Sequence, residues 1–411
     1  MIDTLNPETA DVLIVGAGPA GLSLATALAD AGMTCTLVER QPLDEIAAPR
    51  PDGREIALTH RSRAILRRLG IWDRIAAEDI SPIREARVIN GGSPFALQFD
   101  ARTDRDGDSS EPLGFLVPNS AIRRAAYEAT VGRGGVSLVA GVQATSVSTD
   151  GRDGTGGVAA TLADGSTRSA RLLVAADSRF SETRRRLGIG AEMRDFGRSA
   201  IVCRMAHDTP HGAAAQECFL YGLTLAVLPL NGDVASIVVT APTHEAAALM
   251  QSTPEAFARR IEETLRGRLG SMRLVGERTS YPLVAVYAHR FAARRSVLIG
   301  DSAVGMHPVT AHGFNFGLYG VETLVRVLRE ARHRGRDIGD AAVLQAFESE
   351  HRRATLPIYL GTNAVVRLFT DDRMPARALR AAVLRFAEHL PPLKAGITRQ
   401  LTGKGAPRMA A

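Results

Sequence analysis

The chain has 411 residues, of which 45% are hydrophobic and 23% charged, and a net charge of +6. Such a length buries a large core and predicts two or three domains, while the composition excludes a disordered or fibrous protein. Three scattered cysteines, Cys35, Cys203 and Cys218, exclude a disulfide framework or a cysteine-rich zinc site and fit a reducing compartment.

The opening MIDTLNPETAD shows no basic apolar leader, and no apolar run approaches the roughly 18 residues needed to cross a bilayer. A cytoplasmic protein is expected, with peripheral contact at the inner membrane left open. Residues 352–411 hold eleven Lys/Arg against three acids, a net of +8 that exceeds the charge of the whole chain, so the body before them is weakly acidic. All but Lys394 and Lys404 of the basic residues are arginines, which reads as genome composition; no nucleic-acid partner is expected. A basic tail can face anionic lipid, a protein partner or water.

Residues 11–40, DVLIVGAGPAGLSLATALADAGMTCTLVER, read as a strand, a glycine turn, an Ala/Leu-rich helix and a second strand. Gly16 permits the tight turn, Gly18 lets a pyrophosphate approach the backbone, and Gly21 lets helix and strand pack closely. Phosphates would sit at the helix N-terminus beside Ala20, and Glu39, followed by Arg40, is placed to accept hydrogen bonds from a ribose hydroxyl. A purely structural turn would explain the glycines but not the acid.

Next comes a loop, PRPDGR, in which Arg54 can reach a phosphate, and a helix expected to include Ala57, Leu58, Ile65, Leu66 and Leu69. Residues 102–112 form a polar loop, and PNSAIRRAAYEAT a helix capped by Asn119 or Ser120. From 136 to 175 an antiparallel excursion is expected, ending in a strand that runs into Asp177. His207 and His211, in HDTPH, read as part of a solvent loop. The runs CFLYGLTLAVLPL and VASIVVTAP, joined at Asn231-Gly232-Asp233, alternate less cleanly than a surface sheet, so one face is expected to cover a cavity. PEAFARRIEETLRGRL is a helix, and the last 70 residues are helical with breaks at Pro357, Pro375 and Pro391-Pro392. Within them ALRAAVLRFAEHL is amphipathic, fit to pack on the body or to lie on a membrane.

The second informative stretch is SVLIGDSAVGMHPVTAHGFNFGL, residues 296–318. A strand ending at Gly300-Asp301 puts a carboxylate at the sheet rim, where it can bind sugar-alcohol hydroxyls. Pro308, Gly313 and Gly317 bring backbone close to something flat before a helix whose N-terminus would stabilise negative charge on a reduced flavin. One extended ligand touched from places nearly 300 residues apart fits FAD better than NAD. His307 and His312 lack a third ligand at helical spacing, so no metal is expected; His312 is the tentative acid/base candidate. Ser302 lacks the GxSxG elbow of a hydrolase. No CxxxxC pair and no second glycine fingerprint point to a disulfide reductase or a separate nicotinamide domain.

Together GAGPAG with Glu39, Asp52-Gly53-Arg54 with IALTHRS, AADSRFSETRR, LAVLPL and the GD…HP…GxNxG block resemble the class A FAD-dependent aromatic monooxygenases over nearly the full length. Within them the chain resembles the ubiquinone-biosynthesis ring hydroxylases; HPVTAHGFNFGL is most similar to the 5-demethoxyubiquinol hydroxylase branch. The resemblance implies an α/β fold in which a Rossmann-like FAD-binding domain (1–80, 119–190, 283–345) is interleaved with a mixed-sheet substrate domain (81–118, 191–282), followed by C-terminal helices (346–411). It implies that Arg54 and Asp177 border the FAD, that Asp301 binds its ribityl or pyrophosphate part, and that 307–317, with Pro308, Gly313, Phe314 and Asn315, wrap the flavin ring. It further implies ring hydroxylation with O2 through a C4a-hydroperoxyflavin, a polyprenyl quinol or phenol as substrate, an electron donor of unspecified kind and contact with a biosynthetic complex. The alternatives are a monooxygenase of another phenol or polyketide, and a non-catalytic flavoprotein. Ser178, Ser302, Val304, His312 and Gly320 depart from the family's usual Gly, Ala, His, Gln and Asp.

Overall fold

A computed structural model describes residues 10–91, 96–100, 111–150, 157–220, 222–307, 312–371 and 373–389, with 396, 398, 399, 402 and 403 singly. The first sheet is built on parallel strands Ala10–Val15, Cys35–Glu39, Thr167–Ala175, Val136–Ala140 and Ser296–Leu298. Strands Ala144–Ser148 and Val158–Leu162 extend it antiparallel, and Ala292–Ala293 closes its other edge. These strands read as continuous apolar runs because both faces are covered. Val12 and Ile14 join a core shared with the helix Pro19–Asp30, whereas Leu13 and Val15 pack on the opposite face with Val158 and Leu173.

Register sets the site. Val15 pairs with Ala175, and Ala175 with Leu298, so the segments that carry Gly16, Asp177 and Asp301 leave the same carboxyl edge of three adjacent strands. That edge is where open parallel sheets bind their ligands.

The second sheet also has eight strands: the short edge strand Val304–Gly305, the long pair Met272–Ala288 and Ala191–His207, then Val234–Pro242, Thr224–Pro229, Ala214–Phe219, Glu85–Asn90 and Ala96–Asp100. Helices Thr243–Gln251 and Pro254–Leu265 cover one face, burying Cys203, Leu225, Val227, Ile237 and Val239 against Phe257 and Ile261. The other face meets a small sheet of Glu55–Leu58, Ser81–Ile83 and Gly114–Pro118 through Leu228 and Ala215, which contact Ala57 and Leu116.

Several local expectations give way to tertiary context. Ala57 and Leu58 belong to a strand paired with Leu116 and Phe115, and the following helix starts only at His60, capped by the Thr59 hydroxyl. Asn119 does not cap its helix; its side-chain amide donates to the Asp52 carboxylate at 2.7 Å. His207 is buried at a strand end, out of solvent, whereas His211 lies in the loop that follows and bonds the Leu230 carbonyl at 2.8 Å. Pro357 sits inside the unbroken helix Ala341–Thr370, because its neighbours are held by packing on the preceding helix Gly313–His333 and on the core. Pro391 and Pro392 lie outside the described residues.

The helix Met374–His389 is only half absorbed by the body. Leu384 is buried with Phe219 and Phe369, and Arg380 ties the helix back to the Leu368 and Asp371 carbonyls. Met374, Leu379, Val383 and Phe386 are exposed. No helix among the described residues is long and apolar enough to cross a membrane.

Gly320 has a packing reason. A Cβ there would stand 3.1 Å from Nε2 of buried His351, whose ring stacks on Phe347. Burial pushes the His351 pKa down to about 4, so the folded state refuses a proton that the unfolded chain accepts below its ordinary value near 6.5. Stability from this group is therefore complete above 6.5 and is lost as pH falls toward 4. Urea unfolding of wild type should show about 1–2 kcal/mol less stability at pH 5.5 than at 7.5 from this residue. The His351→Leu variant should show a shallower pH slope; equal slopes would refute the assignment.

Candidate active site

The glycine turn has the geometry its sequence implied. Gly16 sits at φ +109°, where a side chain would be strained and would strike the Ala176 carbonyl at 2.6 Å. A Cβ on Gly21 would come within 1.9 Å of the Gly16 carbonyl oxygen, so helix and turn touch there as closely as backbone allows. Gly18, by contrast, opens onto free space, with no atom of the described residues within 4 Å of an added Cβ, at the N-terminus of the helix Pro19–Asp30. An anion fits that opening. Glu39 ends its strand beside the turn, accepting from the Ala17 amide at 2.7 Å and from the Gln41 amide at 3.0 Å; Arg40 next to it is exposed.

The late glycine-and-acid block is folded onto this turn. A Cβ on Gly300 would lie 3.3 Å from the Ala20 side chain, and one on Gly317 would lie 3.6 Å from the Gly300 Cα. Gly18 and Asp301, far apart in sequence, thus flank one opening. Asp301 accepts from Arg179 Nη2 at 3.0 Å, and Arg179 also donates to the Val284 carbonyl at 3.1 Å. Asp177 turns one oxygen to the Thr183 amide at 3.3 Å, while its buried Oδ1 receives no hydrogen bond among the described residues. Burial raises its pKa above the usual carboxylate range, a cost that a donor on a bound ligand would offset.

Arg54 lies across the opening from the second sheet. Its Nε donates to Asp52 at 2.9 Å and its guanidinium stacks over Tyr281, whose hydroxyl donates to the Asp52 carbonyl at 2.8 Å. Burial opposes the Asp52 charge, but the bonds from Arg54 and Asn119 win and hold its carboxyl below the usual range. The Arg54 pKa is raised by Asp52, and Asp301 adds to that field.

The helix Gly313–His333 begins at this place. Asn315 donates to the Ala57 carbonyl at 2.9 Å and accepts from the Thr59 amide at 3.1 Å, which fixes the helix start against the Glu55–Leu58 strand. Among the described residues nothing lies within 4 Å of a Cβ on Gly313, and Phe314 packs on the main core. His312 is buried at the cap with its ring 5.3 Å from that of Phe316. His307 is buried edge-on to Phe196, and burial with nearby Arg198 and Arg179 pushes its pKa down to about 4, so its ring is neutral. Pro308 lies outside the described residues.

Three residues escaped the sequence reading. Arg179 lies in the AADSRFSETRR block without standing out there, Tyr281 lies in no motif, and only the fold aims them at Asp301 and Arg54. Buried Arg184 donates to the carbonyls of Ser302 at 2.8 Å and Arg179 at 3.2 Å, joining the Asp177 and Asp301 loops. Ser302 itself donates within this clamp, with the Ala175 and Ile299 carbonyls each 2.8 Å from its hydroxyl, and is no nucleophile. The run SETRRR held a signal for such a clamp, but three adjacent arginines gave no means of choosing one.

The geometry separates two glycine substitutions. Gly18→Ala should leave the melting temperature within a few degrees of wild type, since the added methyl meets no atom of the described residues. It should weaken FAD uptake by roughly tenfold or more, because the methyl stands where phosphate must approach. Isothermal titration of the apoprotein checks this, and unchanged affinity would remove phosphate from the turn.

The family described as FAD binding domain matches residues 9–355. The chain is 47% identical over 96% of its length to a protein named ubiquinone hydroxylase UbiM from Neisseria meningitidis, covering 84% of that protein. It is 35% identical, again over 96%, to ubiquinone hydroxylase UbiL from Rhodospirillum rubrum, covering 90% of it. The crystal structure of p-nitrophenol 4-monooxygenase PnpA from Pseudomonas putida shares the fold, with a TM-score of 0.76 at 18% identity over 98% of this chain and 99% of that one. Turn, clamp, strand-end acids and these relatives converge: the chain belongs to the FAD binding domain family and, within it, to the ubiquinone ring hydroxylases of the class A flavin monooxygenases.

Proposed function

We propose that this FAD-dependent monooxygenase hydroxylates the ring of a polyprenylated ubiquinone precursor of the demethoxyubiquinol kind, consuming O2. The 47% identity to a ubiquinone hydroxylase, maintained over 96% of the chain, carries this reading. The open Gly18 cradle and the unsatisfied Asp177 Oδ1 support FAD as the group the site is shaped for.

In this reading the Gly16, Gly18 and Gly21 turn with Ala20 holds the pyrophosphate, and Glu39 with Arg40 takes the adenosine end. Asp177 and Asp301 bind hydroxyls of the linking chain. Arg54 borders the cofactor, its guanidinium held by Asp52 and Tyr281. The backbone at Gly313, Phe314 and Asn315 would border the flavin ring, where the helix N-terminus favours negative charge. Reduced FAD, when bound, would supply the two electrons that activate O2, one of whose oxygen atoms goes to the ring while the other leaves as water. The chain's own work is to align the quinol, exclude water and manage protons. His312 is the side chain assigned to take a proton from a ring hydroxyl; its buried position at the helix cap keeps it out of bulk water.

The purified protein should be yellow with bound FAD and, given a reductant and O2, should convert a demethoxyubiquinol analogue to the ring-hydroxylated product by mass spectrometry. A flavin spectrum without product would favour a non-catalytic flavoprotein, and turnover of small phenols alone would move the substrate class. The exposed Met374, Leu379, Val383 and Phe386 support peripheral docking, because a polyprenyl substrate resides in the bilayer. Wild type should co-sediment with phosphatidylglycerol vesicles at low salt, and a Leu379→Glu, Phe386→Glu double variant should not; equal sedimentation would assign that face to protein contact or solvent.

A further inference from the structure

One acid in the second sheet is used by nothing described so far. Glu217 lies in the strand Ala214–Phe219, and its registered partners are Val88 on one side and Ala226 on the other. Ala226 pairs with Val238, and Val238 with Val202, so one row crosses five strands and points to one face. Three neighbours define what that face sees. At Val202 it meets the Gly53 loop, since a Cβ on Gly53 would lie 3.1 Å from a Val202 methyl. Two residues on from Glu217, Phe219 stacks 4.3 Å from Phe369, at the end of the helix Ala341–Thr370. Two residues before it, Ala215 packs on the small sheet that is tied to Asn315.

Glu217 thus stands between the loop that carries Arg54, the C-terminal helices and the strand that anchors the cap of the Gly313 helix. Val88, Ala226 and Val238, along its row, are only half-buried. A half-buried apolar row with one carboxyl in it, flanked on the same face by Thr224 and Thr240, is the pattern of a ligand pocket, where few polar groups fix orientation.

We propose that the Glu217 carboxyl binds the substrate, forming a hydrogen bond with an oxygen substituent on the quinol ring. This rests on the quinol hydroxylase reading given above and names the side chain that orients the ring. Glu217 keeps part of its surface, yet burial alone pushes its pKa up to about 8, and no charge or hydrogen bond among the described residues offsets it. A neutral carboxyl both donates and accepts, which suits a ring bearing hydroxyl and methoxy groups side by side. Holding an unpaired acid in such a row costs stability unless a ligand completes it.

The test is an anaerobic titration of the FAD-loaded protein with a methoxy-methyl-hydroquinone bearing a ten-carbon tail, read by the change in flavin absorbance. Glu217→Gln, which keeps a donor and an acceptor, should bind within about threefold of wild type. Glu217→Leu, of similar volume but apolar, should take up FAD normally and bind the quinol roughly tenfold more weakly. If that variant fails to take up flavin, Glu217→Ala carries the same comparison. Equal quinol affinity in wild type and the apolar variant overturns the assignment of Glu217 alone. Failure of wild type to bind the quinol overturns the quinol reading and this inference together.

Discussion

The in-register ends of three parallel strands are the constraint on which the site depends. Because Val15, Ala175 and Leu298 lie side by side, the backbone must turn away from the sheet at Gly16, Asp177 and Gly300 within a few ångströms of one another. Parallel pairing brings together segments that the sequence separates by more than a hundred residues. The Arg184 and Ser302 clamp then fixes two of those exits to each other with bonds to main-chain carbonyls. A buried guanidinium is expensive to desolvate, and it persists here because several carbonyls share its donors.

Close backbone approach is the second theme. Gly21 touches the Gly16 carbonyl, Gly300 touches Ala20, and Gly317 touches Gly300, so one helix from each end of the chain reaches the same turn. Where these contacts are tight the glycine is needed for packing. Where they are open among the described residues, as at Gly18, it leaves room for a ligand. The same residue type therefore does two jobs, distinguished only by what surrounds it.

Electrostatics around the opening are balanced by pairs. Asp52 is held by Arg54 and Asn119, and Asp301 by Arg179, while Asp177 keeps a buried oxygen without a donor among the described residues. The pairs orient side chains whose charge alone would not specify a direction. On the second sheet the balance is different: one face is sealed by helices, and the other mixes apolar residues with Glu217, which explains why its strands lack a clean in-out alternation.

The sequence alone determined the first strand-turn-helix, the tight turn at Gly16 and close packing at Gly21, the acid at the end of the second strand, and the family, because those features are local and their spacing is set by backbone geometry. Imperfect alternation from 199 to 240 raised the expectation that a sheet face covers a cavity, and on the face away from the helices Val88, Glu217, Ala226 and Val238 are half-buried. It misplaced Ala57 and Leu58 in a helix, assigned Asn119 to a cap, broke a helix at Pro357 and put His207 in solvent, because in each case a distant partner outweighed local preference. Arg179, Arg184, Tyr281 and Glu217 were decided only by tertiary structure. Arg179 and Arg184 lie in the AADSRFSETRR block and Tyr281 and Glu217 in none, yet for all four the partner is fixed by strand register and packing, which no local pattern encodes.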